Sequence, residues 1–302
     1  MVENLFSVVL FFSLGYLLRK VGIFSEKDSD LLIKFIIYVA FPSLVVYNIY
    51  HLQLNSSVLW IVILGWGVIV FSIVLSFFVG RMLNLSKPVL ASFVMMSSFG
   101  NTSFLGFPFQ LALLGEEGLR YAVVFDQLAS FLPVSLLSPF ILSYGQGKKI
   151  SLDLKKVITF PPFIAVVFSF LIKGFSVPDF VLGSLKSLGM TVIPLALFSV
   201  GVNLRFSKVK ERLRDISAVI LIKMIVVPAV FLGFLLFVGV DINTPYLSAL
   251  IEVSMPPMVL ASIFVIGAGL DRNLAVSSVG VGIIFSFLSV PLLFFIANLL
   301  TG

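Results

Sequence analysis

Long apolar segments separated by short polar ones run along nearly the whole chain. Because hydrocarbon accepts only helices and closed barrels, and these segments are too long and continuous for barrel strands, the pattern predicts an all-α membrane protein. A spanning helix needs about 20 residues. Ten segments meet this need, at about 2–18, 31–50, 57–80, 88–114, 119–143, 157–174, 181–203, 214–238, 244–269 and 274–300. The basic pair Arg19-Lys20 follows the first segment instead of preceding it, so we expect a retained span and not a cleaved leader.

The basic residues test this count of ten. Of the 20 Lys and Arg residues, 15 fall in the first, third, fifth, seventh and ninth loops, and only Arg120 and Lys173 fall in the others. Cytoplasmic loops collect Lys and Arg. We therefore expect a multi-pass protein of the cell (plasma) membrane with both termini extracytoplasmic. The net charge of +6 then reflects this bias and attraction to anionic membrane lipid, not a nucleic-acid partner.

Composition narrows the classes further. Of the 302 residues, 60% are apolar and 11% are charged, against roughly 25% charged in a soluble domain. The chain has no cysteine and one histidine, which argues against thiol chemistry, a metal site and a resident cofactor. No metalloprotease pattern, nucleotide-binding loop or filter-like run is present. We expect no enzyme activity, and the missing filter-like run makes a passive channel a weak candidate.

The two halves of the chain show weak internal similarity. Lys34 and Pro42 in the second span have the same spacing as Lys186 and Pro194 in the seventh, 152 residues later. Pro88 and Pro245 open the fourth and ninth spans. Five spans per half would invert the second half relative to the first. The sequence therefore predicts two inverted five-helix repeats.

The fourth and ninth spans each contain a helix-breaking cluster at matching depth. Ser97–Asn101 lies 157 residues before Ser254–Met258, where two prolines follow each other. The stretch Gly100–Pro108 places two glycines, a proline and three small polar residues in mid-span. Paired interruptions in corresponding spans are the best sequence indication of a transporter binding site.

A broken helix exposes backbone groups that can bind ions. Freed N–H groups suit an anion and freed carbonyls suit a cation. Asn101 offers a donor and an acceptor, although it could merely cap a helix end. We predict a substrate site formed by Gly100, Asn101, Thr102, Ser103, Gly106, Pro108, Met255, Pro256, Pro257 and Met258.

Three charged residues lie deep within spans. Asp126, which Gln127 follows, and Glu252 lie about 12 Å from the outer ends of their spans, and Lys223 is similarly deep. Charges at such depth are costly and are usually paired or functional. In one reading Asp126 or Glu252 binds the coupling ion, H⁺ or Na⁺. In another, a carboxylate pairs with Lys223 and locks the bundle, and in a third Lys223 touches the substrate.

These residues carry a family resemblance. The Gly100–Pro108 stretch, Phe41-Pro42-Ser43, Asp126-Gln127 and Met255-Pro256-Pro257 resemble the signatures of the auxin efflux carrier family, in its compact prokaryotic form. The likeness implies the fold shared with bile acid–sodium symporters, in which broken helices 4 and 9 cross. It also implies elevator-type transport of small organic anions such as carboxylates. A sodium-coupled symporter of bile-acid-like or other organic solutes is the alternative.

The resemblance also implies a division into domains. Scaffold helices would occupy 1–56 and 157–210, with Pro42 and Pro194 as hinge or scaffold residues and with dimerisation through these helices. Transport-domain helices would occupy 57–143 and 211–302, and 144–156 would be a short cytoplasmic linker. Some family members carry a second asparagine at the span 9 break, where this chain has Pro256-Pro257-Met258. We therefore expect a site that depends mainly on the span 4 side.

Overall fold

The computed structural model describes residues 2–53, 55–149, 155, 158–204 and 212–301. This part of the chain is helical throughout, apart from short connections and a single β-bridge. Six helical stretches are long and apolar enough to cross a membrane: Lys27–His51, Ser56–Met82, Thr102–Gln146, Asp179–Asn203, Leu213–Val238 and Arg272–Leu300. The predicted class, an all-α multi-pass membrane protein, is confirmed at this level.

The helices follow one another as expected from the apolar segments. Their bounds are α1 Val2–Lys20, α2 Glu26–Phe35, α3 Phe41–His51, α4 Ser56–Met82, α5 Lys87–Ser98, α6 Phe107–Phe125, α7 Leu132–Gln146, α8 Pro161–Ile172, α9 Asp179–Met190, α10 Val192–Asn203, α11 Leu213–Leu221, α12 Val227–Val238, α13 Thr244–Val253, α14 Val259–Gly267 and α15 Arg272–Thr301. Four π-helical segments adjoin them, at Ile36–Ala40, Thr102–Gly106, Asp126–Phe131 and Ile222–Val226.

Proline and glycine set several of the helix ends. Pro42, Pro88, Pro108 and Pro245 each lie in the first turn of a helix, where the missing N–H of proline costs nothing. Gly115 interrupts α6 with φ +68° and ψ −159°, a conformation open mainly to glycine. The 45-residue stretch Thr102–Gln146 is therefore two helices, and the predicted loop between 114 and 119 falls at the interruption.

The chain packs into two compact units. The first comprises Met1–Ser56, Ser103–Gln127 and Asp153–Leu204. Its helices α1 and α10 pack backbone to backbone, since Gly15 lies against the carbonyl of Phe198 and Gly201 against that of Phe12. The Arg19 guanidinium donates to the Leu204 carbonyl at 2.6 Å and ties the ends of the same two helices together.

The second unit comprises Ser57–Thr102, Leu128–Leu152 and Arg205–Gly302. The Trp66 indole of α4 donates to the Leu128 carbonyl at 2.8 Å, and the Gln146 amide at the end of α7 donates to the Ala268 carbonyl, also at 2.8 Å. The Arg212 guanidinium also forms an ion pair with the Asp271 carboxylate at 2.6 Å. These side-chain bonds connect helices that are distant in sequence.

Compactness alone does not define which helices move together. Residues 103–127 group with the first unit, whereas the predicted transport domain includes them. The predicted scaffold and transport domains therefore stay a prediction. Part of the predicted linker 144–156 and the basic residues Arg205, Lys208 and Lys210 lie outside the described residues.

Candidate functional site

Two helix breaks in the second unit form the centre of the candidate site. Helix α5 ends at Ser98, Phe99 is extended at φ −104° and ψ 127°, and helical structure resumes at Thr102. Helix α13 ends at Val253, and α14 begins after Met258, which is extended at φ −70° and ψ 131°. The predicted interruptions of spans 4 and 9 are present as breaks in the helices.

The second break has a direct cause in the sequence. In a continuous helix, the carbonyls of Glu252 and Val253 would accept from the amides of residues 256 and 257. Both of these residues are proline, which has no amide N–H, and proline also disfavours helical geometry in the residue before it. The Pro256-Pro257 pair thus frees the Val253 carbonyl, while the Glu252 carbonyl accepts from the Met255 N–H at 3.2 Å instead.

The two breaks pair with each other through their backbones. The Asn101 N–H donates to the Pro256 carbonyl at 2.8 Å, and the Met258 N–H donates to the Phe99 carbonyl at 2.9 Å. Gly100 lies opposite Pro257 in an antiparallel bridge. Polar backbone in the hydrocarbon region must find partners within the protein. The backbone amides of Asn101 and Met258 are occupied by this pairing.

The side chains of the first break are polar and buried. Asn101 is 2% exposed, and its Nδ2 has no hydrogen-bond partner among the residues that the structure describes. The Thr102 hydroxyl donates to the Ser130 hydroxyl at 2.9 Å. An unsatisfied buried donor costs about 1–3 kcal/mol. The Asn101 amide is therefore the group best placed to gain from a ligand with an acceptor oxygen.

Lys223 enters the same cluster from the π-helical segment Ile222–Val226. Its side chain is buried, and its Nζ donates to the freed Val253 carbonyl at 2.6 Å. A Cβ at Gly100 would lie 3.1 Å from this Nζ, so the ammonium also touches the first break. The ammonium interacts electrostatically with Glu252, which is buried beside Val253.

The structure brings Lys223 and Glu252 to the same break, as the pairing hypothesis requires. It also places the ammonium on a carbonyl, which that hypothesis did not include.

Asp126 and Gln127 belong to the first unit. Both are buried at the start of the π-helical segment Asp126–Phe131, and the Gln127 amide donates to the Asp126 carboxylate at 2.6 Å. Of the other predicted site residues, Ser103, Gly106 and Pro108 also lie in the first unit. Gly106 ends a π-helical segment, and Pro108 starts α6. The roles predicted for these residues stay predictions.

The two predicted scaffold prolines lie at changes in helix geometry, both in the first unit. Pro42 follows the π-helical segment Ile36–Ala40 and opens α3. Pro194 lies in the first turn of α10, next to the Thr191 junction with α9. A Cβ at Gly189 of α9 would lie 2.7 Å from the Leu44 Cα of α3, so the helix just before the one that carries Pro194 approaches the helix that carries Pro42.

Two residues of the site were missed by sequence reasoning. Ser130 accepts from Thr102, but one serine among many in apolar spans carries no distinguishing signal. Gly282 of α15 faces the second break, since a Cβ there would lie 2.6 Å from Pro257 Cδ and 3.0 Å from Pro256 Cβ. One glycine among 22 in the chain gives no indication of what it packs against.

The fold and the paired breaks define a polytopic helical membrane protein with a buried polar site at interrupted helices. Comparison with known proteins agrees with this class. The family model described as "Membrane transport protein" matches residues 1–294, and the chain belongs to this family, which is the auxin efflux carrier family. The resemblance found in the sequence is thereby confirmed.

Two archaeal relatives match over nearly their whole length. An uncharacterized transporter of Methanothermobacter thermautotrophicus is 27% identical over 296 residues, which cover 96% of each chain. An uncharacterized transporter of Methanocaldococcus jannaschii is 28% identical over 298 residues, which cover 94% of this chain and 95% of the relative. The family and these relatives are membrane transporters and not enzymes, as the sequence predicted.

Proposed function

We propose that this protein is a secondary transporter of small organic anions, with carboxylates as the substrate class. The observation that supports the proposal most is the pair of helix breaks joined at Gly100 and Pro257. Beside them lies the side-chain Nδ2 of Asn101, which has no hydrogen-bond partner within the described part of the chain. Substrate sites of secondary transporters are typically formed by such discontinuous helices near the bilayer midplane. A carboxylate oxygen would accept from Asn101 Nδ2, and the nearby Lys223 ammonium would favour a negative charge.

The proposed mechanism is elevator-type alternating access. The proposed fold has ten membrane-spanning helices in two inverted repeats with crossing helices 4 and 9. It is supported by the interruption of Thr102–Gln146 at Gly115 and by breaks at corresponding places in the two halves. Such a mechanism needs two bodies that move relative to each other, and the predicted scaffold and transport domains are the proposed bodies. The proposal includes the division into scaffold and transport domains and dimerisation through the scaffold helices. It also places the protein in the plasma membrane with both termini outside.

Coupling to an ion is the remaining part of the proposed mechanism. The candidates are the buried carboxylates Asp126, with its neighbour Gln127, and Glu252, with H⁺ or Na⁺ as the ion and no further cofactor. Counterflow in proteoliposomes tests Asp126→Asn. Unchanged transport with unchanged dependence on pH and sodium would show that Asp126 does not couple.

The substrate proposal is tested by binding and transport together. Purified protein is melted with malonate, succinate, acetate, and neutral and cationic solutes, since a bound ligand raises the melting temperature by mass action. We expect a carboxylate to raise the melting temperature of the wild type and to be taken up by proteoliposomes, and Asn101→Ala to lose both effects.

Asn298→Ala is the matched control. It removes an exposed amide of α15 in the same unit, which donates to the Phe294 carbonyl of its own helix. The control should bind and transport like the wild type. A melt that responds to neutral or cationic solutes and to no carboxylate refutes the organic-anion proposal.

A further inference from the structure

The ammonium of Lys223 fills the position of a missing backbone donor. The Val253 carbonyl lies at the end of α13, and its helical partner would be the amide of residue 257, which is Pro257. Lys223 Nζ donates to this carbonyl at 2.6 Å instead. The side chain of Lys223 thus satisfies a carbonyl that the proline pair has freed.

The surroundings of this ammonium suit a cation. Carbonyls at the C-terminal end of a helix carry partial negative charge. The neighbouring Glu252 carboxylate adds a formal negative charge, and it attracts the ammonium. A freed carbonyl and a carboxylate at a helix break are the oxygen ligands that a bound metal cation would need.

The Lys223 side chain already fills that position. Lys223 is 3% exposed, and a Cβ at Gly100 would lie 3.1 Å from its Nζ and 3.2 Å from its Cε. The absence of a side chain at residue 100 makes room for the lysine. A metal ion that coordinated the Val253 carbonyl from this side would have to replace the Nζ.

We propose that the Lys223 ammonium serves as a permanently bound cation of the transport site. It occupies the position at the second helix break that a dissociable metal cation would otherwise fill. Binding at this break then needs no sodium, and Glu252 serves as the counterion of the ammonium. This proposal rests on the proposed transport function for its purpose. Its test uses only cations and melting temperatures, so it fails or succeeds independently of the substrate.

The first measurement uses the wild type. Its melting temperature is recorded in NaCl, KCl and choline chloride at equal ionic strength and pH. The same series is recorded for Asp126→Asn, which removes the other candidate sodium site. We expect equal values in the three salts for this variant, because the cation position at the second break is already filled. A sodium-specific rise that persists in Asp126→Asn overturns the proposal by itself.

The second measurement is rescue by a small cation. Lys223→Ala removes the ammonium and leaves a cavity beside Val253 and Glu252. The Val253 carbonyl then loses its charged donor in a buried position, so we expect the melting temperature to fall by about 5–10 °C. Methylammonium, which has N–H donors and fits the cavity, should restore part of the loss in a saturable manner.

Three controls define the rescue. Tetramethylammonium carries the same charge without an N–H donor and should not restore the loss. Lys223→Met also removes the charge, but its side chain fills the cavity, so methylammonium should have no effect. Lys148→Ala removes an exposed lysine of the same unit and should melt like the wild type.

Each possible result of the rescue experiment either supports or overturns the proposal. The proposal is supported if methylammonium, but not tetramethylammonium, rescues Lys223→Ala. It is also supported if this variant folds only when methylammonium is present from solubilisation onward. Failure of rescue under all conditions, or equal effects of methylammonium on the Met and Ala variants, overturns it.

Discussion

The clearest quantitative prediction concerns Gly282, which packs α15 against the second helix break. A Cβ at this position would lie 2.6 Å from Pro257 Cδ, 3.0 Å from Pro256 Cβ and 3.2 Å from Ile220 Cδ1. The closest atoms belong to proline rings, which cannot rotate away as a flexible side chain can. Gly282→Ala should therefore force a shift of the break or of α15.

The size of this effect follows from a matched substitution. Gly233 of α12 has nothing within 4 Å of an added Cβ, so Gly233→Ala carries the helix-propensity gain alone, at most about 1 kcal/mol. Gly282→Ala carries the same gain and an overpacking cost of about 1–3 kcal/mol. The difference between the two variants removes the propensity contribution, and we expect it to equal the overpacking cost.

The assay is thermal unfolding of the two purified variants in one detergent. Each kcal/mol corresponds to a shift of about 2–4 °C for a protein near this size. The melting temperature of Gly282→Ala should be lower than that of Gly233→Ala by this shift for each kcal/mol of overpacking cost. Gly282→Ala should also weaken carboxylate binding, because the break moves. If Gly282→Ala melts at or above Gly233→Ala, the close approach of α15 to the prolines is refuted.

Three further predictions concern side-chain bonds within single units. Ser130→Ala removes the acceptor of the Thr102 hydroxyl and should cost about 1–3 kcal/mol of unfolding free energy; a Thr102→Val background should abolish most of that cost, and additive losses would contradict the bond. Arg212→Gln breaks the 2.6 Å pair with Asp271, and its destabilisation should shrink as salt rises; a salt-independent loss would contradict an electrostatic origin. Lys173→Met removes the ammonium that donates to the carbonyls of Ile49, Tyr50 and Leu52 and should lower the melting temperature, while an unchanged melt would show that water replaces it.

The local features of the site were predictable because their causes are local. Two adjacent prolines remove two consecutive helix donors wherever they occur, so Pro256-Pro257 predicts a break without knowledge of the fold. The same holds for the glycine and small polar residues around Asn101. The depth of Lys223 and Glu252 in their spans followed from counting residues.

The partners at the site were not predictable in the same way. Asn101 pairs with Pro256 across 155 residues of sequence, and nothing in either stretch specifies the other. The backbone amides of Asn101 and Met258 each donate to the opposite break, a pairing that neither segment indicates by itself. The cost of an unpaired backbone group in hydrocarbon makes such pairing favourable, but only packing brings the two breaks into reach.

The sequence by itself determined the helical membrane class, the family and the positions of both helix breaks, because apolar length, proline and glycine act on their own segments. Only the tertiary structure decided that the two breaks join, that Gly282 packs against the prolines, and that the Lys223 ammonium lies on the Val253 carbonyl. These contacts join residues far apart in the chain. They depend on the relative placement of helices, which hydropathy does not encode.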